Sequence, residues 1–255
     1  MTTSKRNLTS KSLRALSWLA ESETTEVGVR QLAAAMKIAP SSAHRVLLAL
    51  SDAGFVTRHC DTQRYALSPE FLRLAHCATA RMPRHHLGAT AMQRLVERCG
   101  ESALLVRYDN ARQEMIFDAA VDAEGSAPST ILLNTWMPVR TGASGMAILA
   151  FLDDGEIQSI ICRAKDSPSR GPAYAEPDRL AADLNAVRRQ GFAYTRCQWV
   201  AGAVGIAAPI FNRAGKVSGD ICVTIPQQRA GEASREGLID ALRACASNVT
   251  RELRN

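Results

Sequence analysis

The stretch VRQLAAAMKIAPSSAHRVLLALSDAGFV, residues 29–56, decides how the first third of this chain folds. Apolar residues recur at helical spacing in two runs: Leu32, Ala33 and Met36, then Ala43, Val46, Leu47 and Leu50. Only Lys37-Ile38-Ala39 separates them, which matches the short turn of a helix-turn-helix. Pro40 suits a first helical turn, where its missing N–H costs nothing. Gly54 suits the residue that stops a helix in the left-handed conformation. The spacing therefore predicts helices over about 29–36 and 40–53.

Upstream, SLRALSWLAES (12–22) lies in a further helix expected from about Thr9 to Ala20. Leu13, Leu16, Leu19 and Ala20 form its stripe, with Thr9 or Ser10 as the N-cap. Downstream, 55–58 and 64–67 read as short strands around Cys60-Asp61-Thr62-Gln63, a hairpin and hence a wing. Three helices and a wing make residues 1–68 a winged helix-turn-helix. Its reading helix would open with Pro40-Ser41-Ser42-Ala43-His44-Arg45. Such a helix reads base edges mainly with its N-terminal residues. Ser41 and Ser42 are short enough to contact bases or phosphates, and Arg45 suits a phosphate or a guanine edge. The candidate DNA contacts are Arg30, Ser41, Ser42, His44, Arg45, Arg58 and Arg64.

Charge supports the same division. The chain has 255 residues and a net charge of +6; residues 1–84 hold 12 Lys and Arg against 6 Asp and Glu, and residues 85–255 hold 19 of each. The whole excess lies in the first third, so that part is expected to meet a polyanion. A membrane surface is disfavoured, because no segment there joins a strongly basic face to a broad Trp/Phe/Leu face. The polar, basic start and the lack of a long apolar run predict a cytoplasmic protein without a membrane span. The seven cysteines (60, 77, 99, 162, 197, 222 and 245) are scattered, with no CxxC, so neither a disulfide framework nor a metal site is expected.

Beyond the wing, Phe71, Leu72, Leu74 and Ala75 sit in a helical stretch broken at Met82-Pro83, read as a linker helix over 69–86. A further helix is expected over about 86–98. Residues 87–255 then mix strand-like runs (102–108, 114–121, 131–133, 205–211 and 217–225) with helical ones (142–151, 155–161 and 179–190). Without a strict βαβ repeat, this favours an α+β domain with a mainly antiparallel sheet. Catalysis has little to work with there. All five histidines (44, 59, 76, 85 and 86) precede residue 87, and no GxxxxGK[ST] loop occurs. Gly142-Ala143-Ser144-Gly145-Met146 lacks the final glycine of a nucleophile elbow. Neither a catalytic residue nor a cofactor is expected. A ligand pocket fits better, since residues 142–144 would open a helix whose free N–H groups attract a carboxylate or phosphate.

In SLRALSWLAES, residues 29–56 and RYALSPEFLRL (64–74), the chain resembles the IclR family of bacterial regulators. Ser41-Ser42-Ala43-His44-Arg45 fits that family's recognition-helix start, with Pro40 in place of a lysine. The resemblance continues through MPVRTGASGMAILA (137–150) and RRQGFAYTRCQWVAGAVGIAAPIFNRAGKVSGDICVTIP (188–226). It implies a GAF-like fold for residues 87–255 and dimer contacts through the linker helix. It also implies an effector site at Ala143, Ser144, Thr195, Gly205, Cys222 and Thr224, with Ile131 and Leu133 as apolar lining. Family members often carry acids in the segment that here reads Thr195–Gly202, and this chain has none there.

The combined expectation is a regulator that binds a palindromic or pseudo-palindromic DNA operator as a homodimer or tetramer. It would answer to a small-molecule effector, a small carboxylate, aliphatic or aromatic, and control a catabolic operon. It would act as a repressor or an activator. The alternative is a DNA-binding regulator whose C-terminal domain only oligomerises.

Overall fold

Leu32, Leu47 and Tyr65 are closed off from solvent at the centre of the N-terminal core. In the computed structural model they come from two helices and a strand, as their spacing requires. Residues 2–81, 88–124, 133–139, 142–165, 177–198 and 202–254 are described, in two compact units, Met1–His85 and His86–Asn255.

The first unit runs α1 (Thr2–Glu21), α2 (Val29–Met36), α3 (Pro40–Asp52), β1 (Val56–Arg58), β2 (Tyr65–Leu67) and α4 (Pro69–Arg81). Helix α1 begins at Thr2 rather than Thr9, because the segment before Thr9 contains no glycine or proline to stop it. Lys37 closes α2 in the left-handed conformation, and Ala39 in extended conformation leads into Pro40 at the start of α3. At the far end of α3, Gly54 takes φ +79°, and the Phe55 N–H donates back to the Leu50 carbonyl. Strands β1 and β2 pair antiparallel, with Val56 opposite Leu67 and Arg58 opposite Tyr65. Val27 adds a bridge to Tyr65. Ala15, Leu19, Leu32, Val46, Leu47, Leu50 and Tyr65 pack as one core. Truncating Leu47 to Ala there costs about 2–5 kcal/mol.

In the second unit, α5 (Ala89–Cys99) leads to β3 (Ala103–Asp109) and β4 (Glu114–Val121). Next come β5 (Trp136–Pro138), α6 (Gly142–Leu149), α7 (Asp154–Lys165) and α8 (Pro177–Gln190). Strands β6 (Ala193–Arg196), β7 (Ala203–Phe211) and β8 (Val217–Pro226) follow, and α9 (Glu232–Arg254) ends the unit. The six strands form one antiparallel sheet in the order β5-β4-β3-β8-β7-β6. Alternation along the strands divides the core in two. Leu104, Val106, Ala207 and Cys222 join the apolar cluster that contains α6, together with residues of α7 and α8. Leu105, Ile206, Ile221 and Val223 turn to the other face and meet α5 and α9. Burial on both faces explains why β7 and β8 read as continuous apolar runs.

Four elements depart from the sequence expectation. Of the strand expected over 131–133, residues 131 and 132 lie outside the described residues, and Leu133 stands exposed in a turn before β5. Strands β5 and β6 and helix α9 were not expected. The buried stripe of α9, Leu238, Leu242, Cys245, Ala246 and Val249, has the helical spacing that marks it.

Candidate functional site

In the first unit, the start of α3 presents Ser41 and Arg45 to solvent, with Ser42 and His44 half-buried and Ala43 turned into the core. Arg30 and Arg45 are exposed and enter no hydrogen bond or ion pair among the described residues. Ser42 is held, since Lys11 Nζ of α1 donates to its Oγ at 3.3 Å. That bond puts a third cation, one the sequence reading did not single out, beside the reading turn.

The wing arginines differ from one another. Arg58 hydrogen-bonds Gln63 and lies over the Tyr65 ring, 5.7 Å from its centroid. Arg64 is committed within the unit: Nη2 donates to the Glu26 carbonyl at 2.8 Å and to Gln31 Oε1 at 2.7 Å. These bonds tie the wing to the start of α2, a role the sequence did not show.

In the second unit, the register brings most of the expected effector residues together. Thr195 of β6 pairs with Gly205 of β7, which pairs in turn with Thr224 of β8. Cys222 shares the face of Thr224 and pairs with Ala207. Helix α6 closes over this row. A Cβ placed on Gly205 would lie 3.3 Å from both the Ala143 Cβ and Thr195 Oγ1, so the glycine permits the close approach. Ala143, Ser144, Thr195 and Cys222 are all buried. Leu133 is exposed, and Ile131 falls outside the described residues. At the start of α6, the Gly142 N–H donates to Gln198 Oε1 at 3.2 Å. An amide oxygen thus stands where the helix start would attract an anion's oxygen.

Sequence reasoning missed Asp220. It is wholly buried in β8, on the face of Cys222 and Thr224, and Ser144 Oγ donates to its Oδ1 at 2.9 Å. Burial pushes its carboxyl up from 3.8 to about 8, with the Ser144 bond pulling the other way. Burial likewise raises the Cys222 thiol, reinforced by Asp220 and eased by Ser144, so this cysteine is a small wall residue rather than a nucleophile. The signal that could have found Asp220 is an acid set between apolar residues in a strand, VSGDICVTIP. Among the described residues, no three His, Cys, Asp or Glu side chains converge to hold a metal ion. No described helix is long and apolar enough to cross a membrane.

Residues 76–251 match the family profile described as the bacterial transcriptional regulator IclR C-terminal domain, and residues 9–59 match the IclR helix-turn-helix domain. The chain is 25% identical to a probable HTH-type transcriptional regulator, ArcR, of Halobacterium salinarum, over 88% of this chain and 85% of that one. A putative IclR regulator from Silicibacter superposes with a TM-score of 0.79 at 24% identity, covering 97% of this chain and 96% of that one. An IclR homologue from Microbacterium hydrocarbonoxydans, solved with 4-hydroxybenzoate, superposes with a TM-score of 0.76 at 22% identity, covering 95% and 99%.

Proposed function

The chain belongs to the IclR family of bacterial transcriptional regulators, and from that premise we propose that it controls a catabolic operon in response to a small carboxylate, aliphatic or aromatic. It is a DNA-binding regulator rather than an enzyme, as are the relatives it matches. The observation that carries the effector reading is the single row of Thr195, Gly205, Thr224 and Cys222 beneath Ala143 and Ser144, with Thr195 and Cys222 buried and Gly205 and Thr224 half-buried. Two features support an anionic ligand. The first N–H of α6 already holds the amide oxygen of Gln198, an exposed side chain that a carboxylate can displace. Hydroxyls of Ser144 and Thr195 lie among apolar walls, the mixture that orients a small polar ligand. The Microbacterium homologue, which carries 4-hydroxybenzoate, supports an aromatic carboxylate as one member of the class.

The cytoplasmic protein would meet its operator as a homodimer or tetramer. Two-fold symmetry sets the recognition helices in major grooves one helical turn or a multiple apart on a palindromic or pseudo-palindromic site. Ser41, Ser42, His44 and Arg45 would read it, with Arg30, Arg58 and Lys11 on the backbone and Arg64 buttressing the wing. The effector then favours one of two arrangements of the DNA-binding heads. Isothermal titration with carboxylates, matched amides and matched amines tests the ligand class. Binding of neutral compounds alone would refute it.

A further inference from the structure

Asp220 carries an inference that the effector reading leaves unused. Its side chain is fully buried, and only one of its two oxygens is served. Oδ1 accepts from Ser144 Oγ, and Oδ2 is buried without a hydrogen-bond partner among the described residues. No cation among the described residues pairs with it. The residues opposite in the sheet are Val106 on β3 and Pro209 on β7. Arg107, the nearest guanidinium in sequence on β3, bonds to Asp118. Helix α6 offers Ser144, and the other titratable group on this face of β8 is Cys222, whose thiol burial keeps neutral.

An unpaired ionised carboxylate in such a place is heavily penalised, so the group keeps its proton. Its displaced ionisation, to about 8, agrees with that geometry. Because Oδ1 is the oxygen that accepts from Ser144, the proton sits on Oδ2. A buried O–H with no acceptor costs stability, and folded proteins rarely keep such a group without a use. The adjoining residues of the same face, Cys222 and Thr224, belong to the effector row, and Ser144 bridges that row to Asp220.

We propose that Asp220 is the specificity-determining proton donor of the effector site, giving a hydrogen bond from Oδ2–H to an anionic oxygen of the ligand. The proposal rests on the effector reading above and sharpens it. A neutral acid donating to a carboxylate forms a charge-assisted bond, without the repulsion an ionised aspartate would impose. The same group gives an ammonium no benefit while it keeps its proton. Asp220 therefore selects carboxylates over amines of equal shape.

The test uses the full chain and three matched probes, benzoate, benzamide and benzylamine, with 4-hydroxybenzoate and pyruvate added. Asp220→Asn keeps an acceptor for Ser144 and a donor for the ligand, so its carboxylate affinity should stay within about threefold of wild type. Asp220→Ala removes the donor and should weaken the carboxylate about tenfold or more, in line with a lost charge-assisted bond. In the free protein at neutral pH, Asp220→Asn, which keeps the acceptor for Ser144, should also raise the melting temperature, since folding no longer requires the side chain to take up a proton. A merely structural aspartate would lower it. The wild type should show an infrared carbonyl stretch of a protonated carboxyl that Asp220→Asn lacks.

Carboxylate binding unchanged in Asp220→Ala overturns the donor role and leaves the effector site standing. Preferential binding of benzylamine, lost in Asp220→Asn, would mean an ionised aspartate and overturns it as well. If no carboxylate binds the wild type, the effector reading falls and takes the donor role with it.

Discussion

Replacing Gly219 with Ala tests the sheet that positions the proposed effector face. Gly219 lies in β8 opposite Arg107 of β3, with φ +152°, immediately before Asp220. A Cβ there would stand 1.9 Å from the Val106 carbonyl oxygen, 2.9 Å from its carbon and 3.0 Å from the Arg107 Cα. All three are backbone atoms in a central ladder, so no side chain can turn away. An ordinary carbon–oxygen contact needs upwards of about 3 Å. The strands must therefore part by roughly 1 Å, or the new alanine must abandon the glycine's φ. Either route forfeits about two buried ladder bonds at about 1 kcal/mol each. Backbone strain adds about 1–3 kcal/mol. The total is about 3–5 kcal/mol, which for a domain of this size lowers the melting temperature by roughly 6–20 °C. Thermal and urea melts of the C-terminal unit measure it. Gly237→Ala is the control: it is exposed within α9, a Cβ there meets nothing within 4 Å, and helix propensity predicts a gain of up to about 1 kcal/mol. A Gly219→Ala shift below about 2 °C would refute the reasoning, because β3 and β8 would then have slack the geometry denies.

Arg45→Ala should weaken operator binding by about 1–3 kcal/mol while leaving the melting temperature unchanged, whereas Arg64→Ala should also loosen the wing. Gel-shift titrations paired with melts separate the two, and an unchanged affinity for Arg45→Ala sinks the recognition-helix assignment. Stability should fall with pH because of Asp220, which keeps its proton in the fold up to about 8 while the unfolded chain releases it near 3.8. Its contribution is full below about pH 3.8 and is lost as pH rises through about 8, at no more than about 1.4 kcal/mol per unit. Urea melts at pH 6 and pH 8 read the slope, and Asp220→Asn should flatten it. Gly205→Val crowds Ala143 and Thr195, so it should abolish calorimetric binding of any carboxylate that the wild type takes up, at a stability cost of about 1–3 kcal/mol. Undiminished calorimetric binding in that variant would place the effector elsewhere.

Sequence alone determined the winged helix-turn-helix, because its information is local. The spacing of Leu32, Met36, Val46, Leu47 and Leu50, the turn before Pro40 and the stop at Gly54 act within a few residues of one another. Charge by segment likewise needs no tertiary contact, so the basic reading module was visible from composition. The residues proposed for the effector face, Ala143, Ser144, Thr195, Gly205, Cys222 and Thr224, were named through the family resemblance, and the sheet register then brings them side by side.

Tertiary structure decided what those residues meet. Arg64 is a wing tether only because Glu26 and Gln31 arrive beside it from far along the chain. Strand β6 becomes a strand through its ladder to β7, and α9 owes its order to burying one face on the sheet. Above all, Asp220 is an ordinary acid in the linear chain. Its full burial, its single bond to Ser144 and its unserved Oδ2 exist only once α6 closes over β8, since desolvation is a property of the packed interior and not of the residue.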